Sequence, residues 1–179
     1  MPYGLKRYQE THRPHFLTFS CYHRQPFFSR VSLRDIFLTC LERIRRQYRS
    51  RIYGYVVMPE HVHLLLSEPE VDVLATAIQA LKVSFIRRSE HLHLVTFWQR
   101  RYFDHNVRDG DSFSQKLRYI HRNPVKRGLC KTPMDWPWSS FRHYATAEVG
   151  VVEIESEWTE SRRKGREPRL LGVHIETPS

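Results

Sequence analysis

The sequence predicts an α+β fold built on a four-stranded antiparallel sheet, and three observations carry the prediction. Strand-like and helix-like hydropathy alternate in the order β-α-β-β-α-β. Each helical stretch before the last strand has a single apolar stripe, so it covers something on one side only. A further amphipathic stretch follows the fourth strand and is too long to be a loop.

Residues 16–22 (FLTFSCY) are rich in β-branched and aromatic side chains and read as the first strand. From 32 to 49 the period changes. Leu33, Ile36, Phe37, Cys40, Leu41, Ile44 and Tyr48 fall on one helical stripe, leaving Arg34, Glu42, Arg43, Arg45, Arg46 and Arg49 for the surface. Ser32 with Asp35 suggests a capping-box start. Two β-rich runs, 52–58 and 61–67, flank Pro59-Glu60, and a proline that cannot donate to a ladder suits a tight hairpin turn there. Residues 72–88 are helical again, with Val73, Leu74, Ala77, Ile78, Leu81 and Phe85 aligned and Lys82, Arg87 and Arg88 off the stripe. A fourth strand near 102–107 ends at Asp109-Gly110, and a third helix spans about 112–122. The residue before proline is disfavoured in helical geometry, so Pro124 is expected to end or kink that helix. The segment 133–144, with Trp136 and Trp138, reads as an irregular packed closure.

This order is that of a ferredoxin-like (RRM-like) sheet, with two helices on one face and the opposite face solvated or used. Residues 1–145 form the expected domain. Residues 146–179, acidic then basic, form an appendage whose part 146–160 should pack on the body while 161–179 stays mobile.

Composition narrows the class. The 179 residues include 29 Lys+Arg against 19 Asp+Glu, a formal net charge of +10, which asks for a polyanionic partner such as nucleic acid. Hydrophobic residues make up 40%, enough for a real core, and no apolar run approaches the ~18 residues of a membrane span. Cys21, Cys40 and Cys130 are widely spaced, which argues against a disulfide framework or zinc knuckle and fits a reducing cytoplasm, as does a first segment without a signal-peptide core.

Two features carry chemistry. In His61-Val62-His63 the imidazoles are at i and i+2 of a strand, so both project from one sheet face, where they can share a divalent ion. In a chain with 11 His the pair can equally arise by chance. The His-x-His-x-His pattern of histidine-triad hydrolases is not met, because the third position is Leu65. Tyr119 is the second feature. On the third helix Phe113, Leu117 and Ile120 form the apolar stripe, and Tyr119 falls about 125° from its centre at ~100° per residue, on a face with Lys116 and Asn123. A phenol among Lys116, Arg118 and Arg122 suits attack on phosphate. Asn123 is open between metal ligand and N-cap of a short helix beginning at Pro124.

The segments MPEHVHLLL, FWQRRYFD, KLRYIHRNPVKRGL and WPWSSFRHY, in that order and spacing, resemble the REP-associated tyrosine transposases over about residues 14–145. That family is related to small insertion-sequence transposases with one tyrosine and a His-hydrophobic-His metal site. The resemblance implies a metal-dependent endonuclease and strand transferase acting on single-stranded DNA. Tyr119 is then the nucleophile that forms a 5′-phosphotyrosine, and His61, His63 and Asn123 hold Mg²⁺ or Mn²⁺. It also implies hairpin partners (REP-like palindromes with flanking guide sequence), a cytoplasmic, nucleoid-associated location, and a monomer or homodimer. Arg24, Lys82, Arg87, Arg88, Arg100, Arg101, Lys116, Arg122, Lys126 and Arg127 are the expected phosphate contacts, with Tyr102 or Phe103 available for base stacking. The alternative is a non-catalytic nucleic-acid-binding module, a domesticated relative on the same type of sheet.

Overall fold

The computed structural model describes residues 12–89 and 96–165. The sheet has the order β2-β3-β1-β4 with every neighbouring pair antiparallel. Its strands are β1 (His15–Ser20), β2 (Ile52–Val57), β3 (His61–Leu66) and β4 (Phe103–Asn106). The expected ferredoxin-like arrangement is therefore present, with the first strand at the centre between the hairpin and the last strand.

Alternation divides the side chains. Leu17 and Phe19 of β1, Tyr55 and Val57 of β2, and Val62, Leu64 and Leu66 of β3 join the core beneath α1 (Val31–Tyr48) and α2 (Leu74–Arg88). An aromatic cluster of Phe28, Phe37, Phe85, Phe97 and Trp98 packs edge-on or tilted at one end of this layer. Such pairs add to the area they bury by about 0.5–1.5 kcal/mol each.

The other face is not simply solvated. Phe16, Val56, Met58, Leu65, Val107, Ile120 and Trp136 form a second core, which α3 (Gly110–Lys126) covers over the hairpin side of the sheet. Gly54 permits this approach, since a Cβ there would lie 2.5 Å from Leu117 Cδ1. Among the described residues nothing covers the β4 side of that face, and the cleft described below lies there.

Four local expectations are revised. Helix α1 starts at Val31 behind Arg30 without a side-chain cap, so Ser32 lies inside the first turn, and the Asp35 carboxylate accepts a hydrogen bond from Trp138 Nε1 at 2.9 Å. Arg34 and Glu42 are buried, not on the surface. The Arg34 guanidinium lies between Trp136 (4.6 Å) and Trp138 (4.3 Å) and donates to the Phe28 carbonyl. Glu42 accepts from Arg45, Arg46 and the Glu153 backbone N–H. Pro124 neither ends nor breaks α3, which runs on to Lys126. Burial of Asn123 and Pro124 against the sheet overrides the local preference, and Pro124 sits in the last turn where only one helical bond is lost.

Beyond α4 (Phe141–Thr146) the chain turns back across the body. Val152 and Ile154 enter the main core, and the Glu155 N–H donates to the Ile52 carbonyl at 2.7 Å. A further helix, α5 (Glu157–Arg163), extends past the Ser161 start of the segment expected to be mobile. The acidic and basic runs answer each other there, as Arg163 pairs with Glu153 and Glu155. The remainder of that expected mobile segment, 166–179, lies outside the described residues. Among the described residues no helix is long and apolar enough to cross a membrane.

Candidate active site

The register brings the chemistry together. His63 pairs with Thr18 of β1, and His61 pairs with Ser20, so both imidazoles share the sheet face that α3 half covers. They are buried, and their Nε2 atoms are 2.9 Å apart. From α3, Asn123 brings its side-chain amide to 3.2 Å from His63 Nε2. Asn123 therefore faces the histidines and does not cap a helix. Four residues earlier, which is about one helical turn, Tyr119 lies with its ring centroid 5.2 Å from that of His63 and 6.0 Å from that of Phe16. It is 43% exposed, while the next residue, Ile120, is fully buried. These groups line one cleft of about 650 Å³ together with Phe16, Thr18, Arg24, Phe103, Gln115, Lys116 and Arg127.

Partners behind the rings orient them. Glu60 Oε1 accepts from His61 Nδ1–H at 3.2 Å and also binds Arg127 (2.7 Å) and Arg24 (3.3 Å). Burial alone would raise the Glu60 pKa, but the Arg127 hydrogen bond and the adjoining positive charge hold it below the usual range. An ionised Glu60 fixes the His61 proton on Nδ1 and leaves the Nε2 lone pair facing the cleft. Behind His63, Thr18 Oγ1 lies 2.8 Å from Nδ1. A hydroxyl both donates and accepts, so Thr18 suits either His63 tautomer. Burial, aided by the charges around His61, Arg24 and Lys116, pushes His63 down to about 3. Burial lowers His61 as well, against the pull of Glu60. Both rings are thus neutral near pH 7, the form in which imidazole ligates metal.

Among the described residues no group of three His, Cys, Asp or Glu converges as a metal cage. The donor set is two imidazole nitrogens and one amide. The oxygen and nitrogen of that amide exchange places by a flip of the side chain, which presents Oδ1 to the same point. Two neutral imidazoles with pinned Nδ1 atoms, an amide oxygen and an open solvent side fit a divalent ion that keeps several waters.

The expected phosphate contacts separate into groups. Arg24, Lys116 and Arg127 line the cleft. Arg122 and Lys126 are exposed on the outer side of α3, and Arg101 is exposed just before β4. Arg87 and Arg100 border a second hollow of about 500 Å³ over Trp98. Lys82 lines the same hollow but is not a surface cation. It is buried, donates to the Gln99 carbonyl, and lies near the rings of Phe19, Trp98 and Tyr102. Of the two aromatics expected to stack bases, Tyr102 packs against the main core, whereas Phe103 is 48% exposed in the cleft. Sequence reasoning missed Thr18 and Glu60. Glu60 directly precedes the histidine pair, but its contact with Arg127 is invisible without the fold.

Comparison with known proteins agrees with this architecture. The family model described as "Transposase IS200 like" matches residues 8–123. A REP-associated tyrosine transposase of Escherichia coli K12 is 32% identical over 100 residues, covering 55% of this chain and 59% of that protein. A Haemophilus influenzae protein assigned to the same group is 33% identical over 114 residues, covering 57% and 65%. The chain thus spans less than two thirds of each of these relatives. A solved structure of a REP-associated tyrosine transposase bound to a REP hairpin superposes with a TM-score of 0.67 at 24% identity, over 86% of this chain and 92% of that one, which shows the shared fold. With its sheet order, its helix crossing the histidine face and a family match over well over half its length, the chain belongs to the IS200-like transposases.

Proposed function

We propose that the protein nicks and rejoins single-stranded DNA at palindromic hairpins through a covalent tyrosine intermediate. The observation that carries this reading is the meeting of Tyr119 with His61, His63 and Asn123 in one cleft rimmed by Arg24, Lys116 and Arg127. The named relatives and the hairpin-bound structural neighbour support the same substrate class.

Arg24, Lys116 and Arg127 draw the phosphate backbone into the cleft, and contacts of this type position the strand without reading its sequence. His61, His63 and Asn123 would hold Mg²⁺ or Mn²⁺. The ion, when bound, supplies Lewis-acid neutralisation of charge developing on the phosphoryl oxygens. Tyr119 Oη attacks phosphorus, the bond from phosphorus to the 3′-oxygen breaks, and the phenol's proton is balanced by the one that ends on the freed 3′-hydroxyl. The product is a 5′-phosphotyrosine of similar bond energy, so the 3′-hydroxyl can reverse the attack without ATP. Holding nucleophile and phosphate in line is the larger part of phosphoryl-transfer catalysis. Here the tyrosine and the histidines come from the same chain, which supports action in cis.

The test is a denaturing gel of protein incubated with Mn²⁺ and labelled single-stranded hairpins. Wild type should carry label covalently, and Tyr119→Phe should lose it while melting at the same temperature, since the exposed ring leaves the core intact. No adduct from wild type across a panel of hairpins, or equal labelling of the phenylalanine variant, refutes the mechanism and favours the binding-module alternative.

A further inference from the structure

Phe103 belongs to neither hydrophobic core. Among the described residues it is 48% exposed on edge strand β4, on the cleft-facing side, while Tyr102 beside it is packed inward. An exposed phenyl ring that lines a cleft beside cationic side chains offers a face on which a base can stack. Its ring is parallel to that of His105 on the same face, with an interplanar angle of 4° and centroids 6.3 Å apart. The two parallel rings therefore follow one another along β4 and make one aromatic surface.

The register places this surface relative to the histidines. Thr18 pairs with His63 on one side and with Phe103 on the other. His63 and Phe103 are thus two strand spacings apart, about 10 Å at the backbone. That distance is of the order of one nucleotide step from a phosphate to the base beyond it. Across the cleft Gln115 and Lys116 of α3 line the wall opposite, and Lys116 Nζ is 4.7 Å from the centre of the Phe16 ring. An apolar plate next to a cation and an amide suits a base together with its phosphate, whereas a plate alone would suit only the base.

We propose that the Phe103–His105 surface is a stacking subsite for the unpaired nucleobase adjoining the phosphate held at His61 and His63. This rests on the DNA-processing reading above and adds to it a specific seat for one nucleotide. Stacking is tolerant of base identity, so the subsite selects an unpaired base over a paired one, because a base inside a duplex already has both faces covered. Phe103 thereby acts as a positioning residue: it fixes the strand on one side of the reacting phosphate.

The experiment measures binding of fluorescently labelled hairpins carrying an unpaired tail, in which a single abasic site is moved position by position along the tail. Wild type should show one tail position where loss of the base weakens binding about tenfold. Phe103→Ala should bind the intact tail about tenfold more weakly and be indifferent to the abasic site at that position, while Phe103→Trp should restore both affinity and sensitivity. The melting temperature of each variant checks folding, which an exposed side chain should not affect. Equal affinity of wild type and Phe103→Ala, or an unchanged abasic profile in that variant, overturns the subsite. The wild-type covalent adduct reports the parent reading separately: a Phe103-dependent abasic profile without any adduct leaves the stacking seat and removes the nuclease.

Discussion

Replacing Thr18 by valine removes one hydroxyl without changing side-chain shape, and it tests how the metal site is held. For His63 to present its Nε2 lone pair to an ion, its proton must sit on Nδ1 and donate to Thr18 Oγ1, 2.8 Å away. In the valine variant that buried N–H faces a methyl group. Leaving a buried donor unsatisfied costs about 1–3 kcal/mol. At 1.4 kcal/mol per tenfold, this corresponds to about 5- to 150-fold weaker ion binding, in line with the ~10–100-fold cost of losing a group that orients a ligand. The assay is a titration of the DNA-free protein with Mn²⁺, following the signal of the free ion by electron paramagnetic resonance. Thr18→Ser, which keeps the hydroxyl, should bind like wild type, and excess Mn²⁺ should recover adduct formation by the valine variant. Wild-type Mn²⁺ affinity in Thr18→Val would refute the reasoning, because His63 would then need no acceptor behind it.

Two predictions concern stability. His15 is buried between Asp104 (2.8 Å) and Glu68 (3.1 Å), and although burial pulls its pKa down, those two carboxylates outweigh it and leave it raised. A raised folded-state pKa stabilises fully below the unfolded value near 6.5 and fades as pH climbs through the folded value. The stability gap between wild type and His15→Gln in urea melts should therefore be widest near pH 6 and shrink toward alkaline pH, and a pH-independent gap would contradict this. Arg34→Ala should lose about 2–3 kcal/mol, from the two indole contacts and the orphaned Phe28 carbonyl. A change below ~0.5 kcal/mol in the same melts would show that the guanidinium contributes only bulk.

The strands, the two covering helices and the histidine pair were legible because hydropathy periods of two and 3.6 are local properties of the chain. Tyr119 stood out for the same reason, as a residue off its helix's apolar stripe. What escaped depends on contacts between residues far apart in sequence. Pro124 looks like a helix end until the burial of the final turn is known. Lys82 and Arg34 look like surface cations, yet aromatic rings from residues 98–102 and 136–138 close around them. Thr18 was an ordinary strand residue until the β1–β3 register set it behind His63. Packing of 146–160 on the body was expected, but the entry of Val152 and Ile154 into the main core itself was not, since two apolar residues among glutamates carry little periodic signal.

That stretch has a consequence for the solubility of the protein. Strand β2 ends the sheet on the hairpin side, and an uncovered strand there would be a template for pairing with another chain. Instead its outward backbone groups are taken up within the molecule. Val57 N–H donates to the Trp138 carbonyl, the Tyr55 carbonyl accepts from Ser140, the Tyr53 carbonyl from the Tyr144 hydroxyl, and the Ile52 carbonyl from Glu155. The loop before α4 and the strand-like return at Ile154 together act as a guard rail along that border. A chain cut after α4 would keep its histidines and its tyrosine but lose the Glu155 bond and the Ile154 bridge at the Ile52 end of this rail, and its weakness would lie in self-association and not in chemistry.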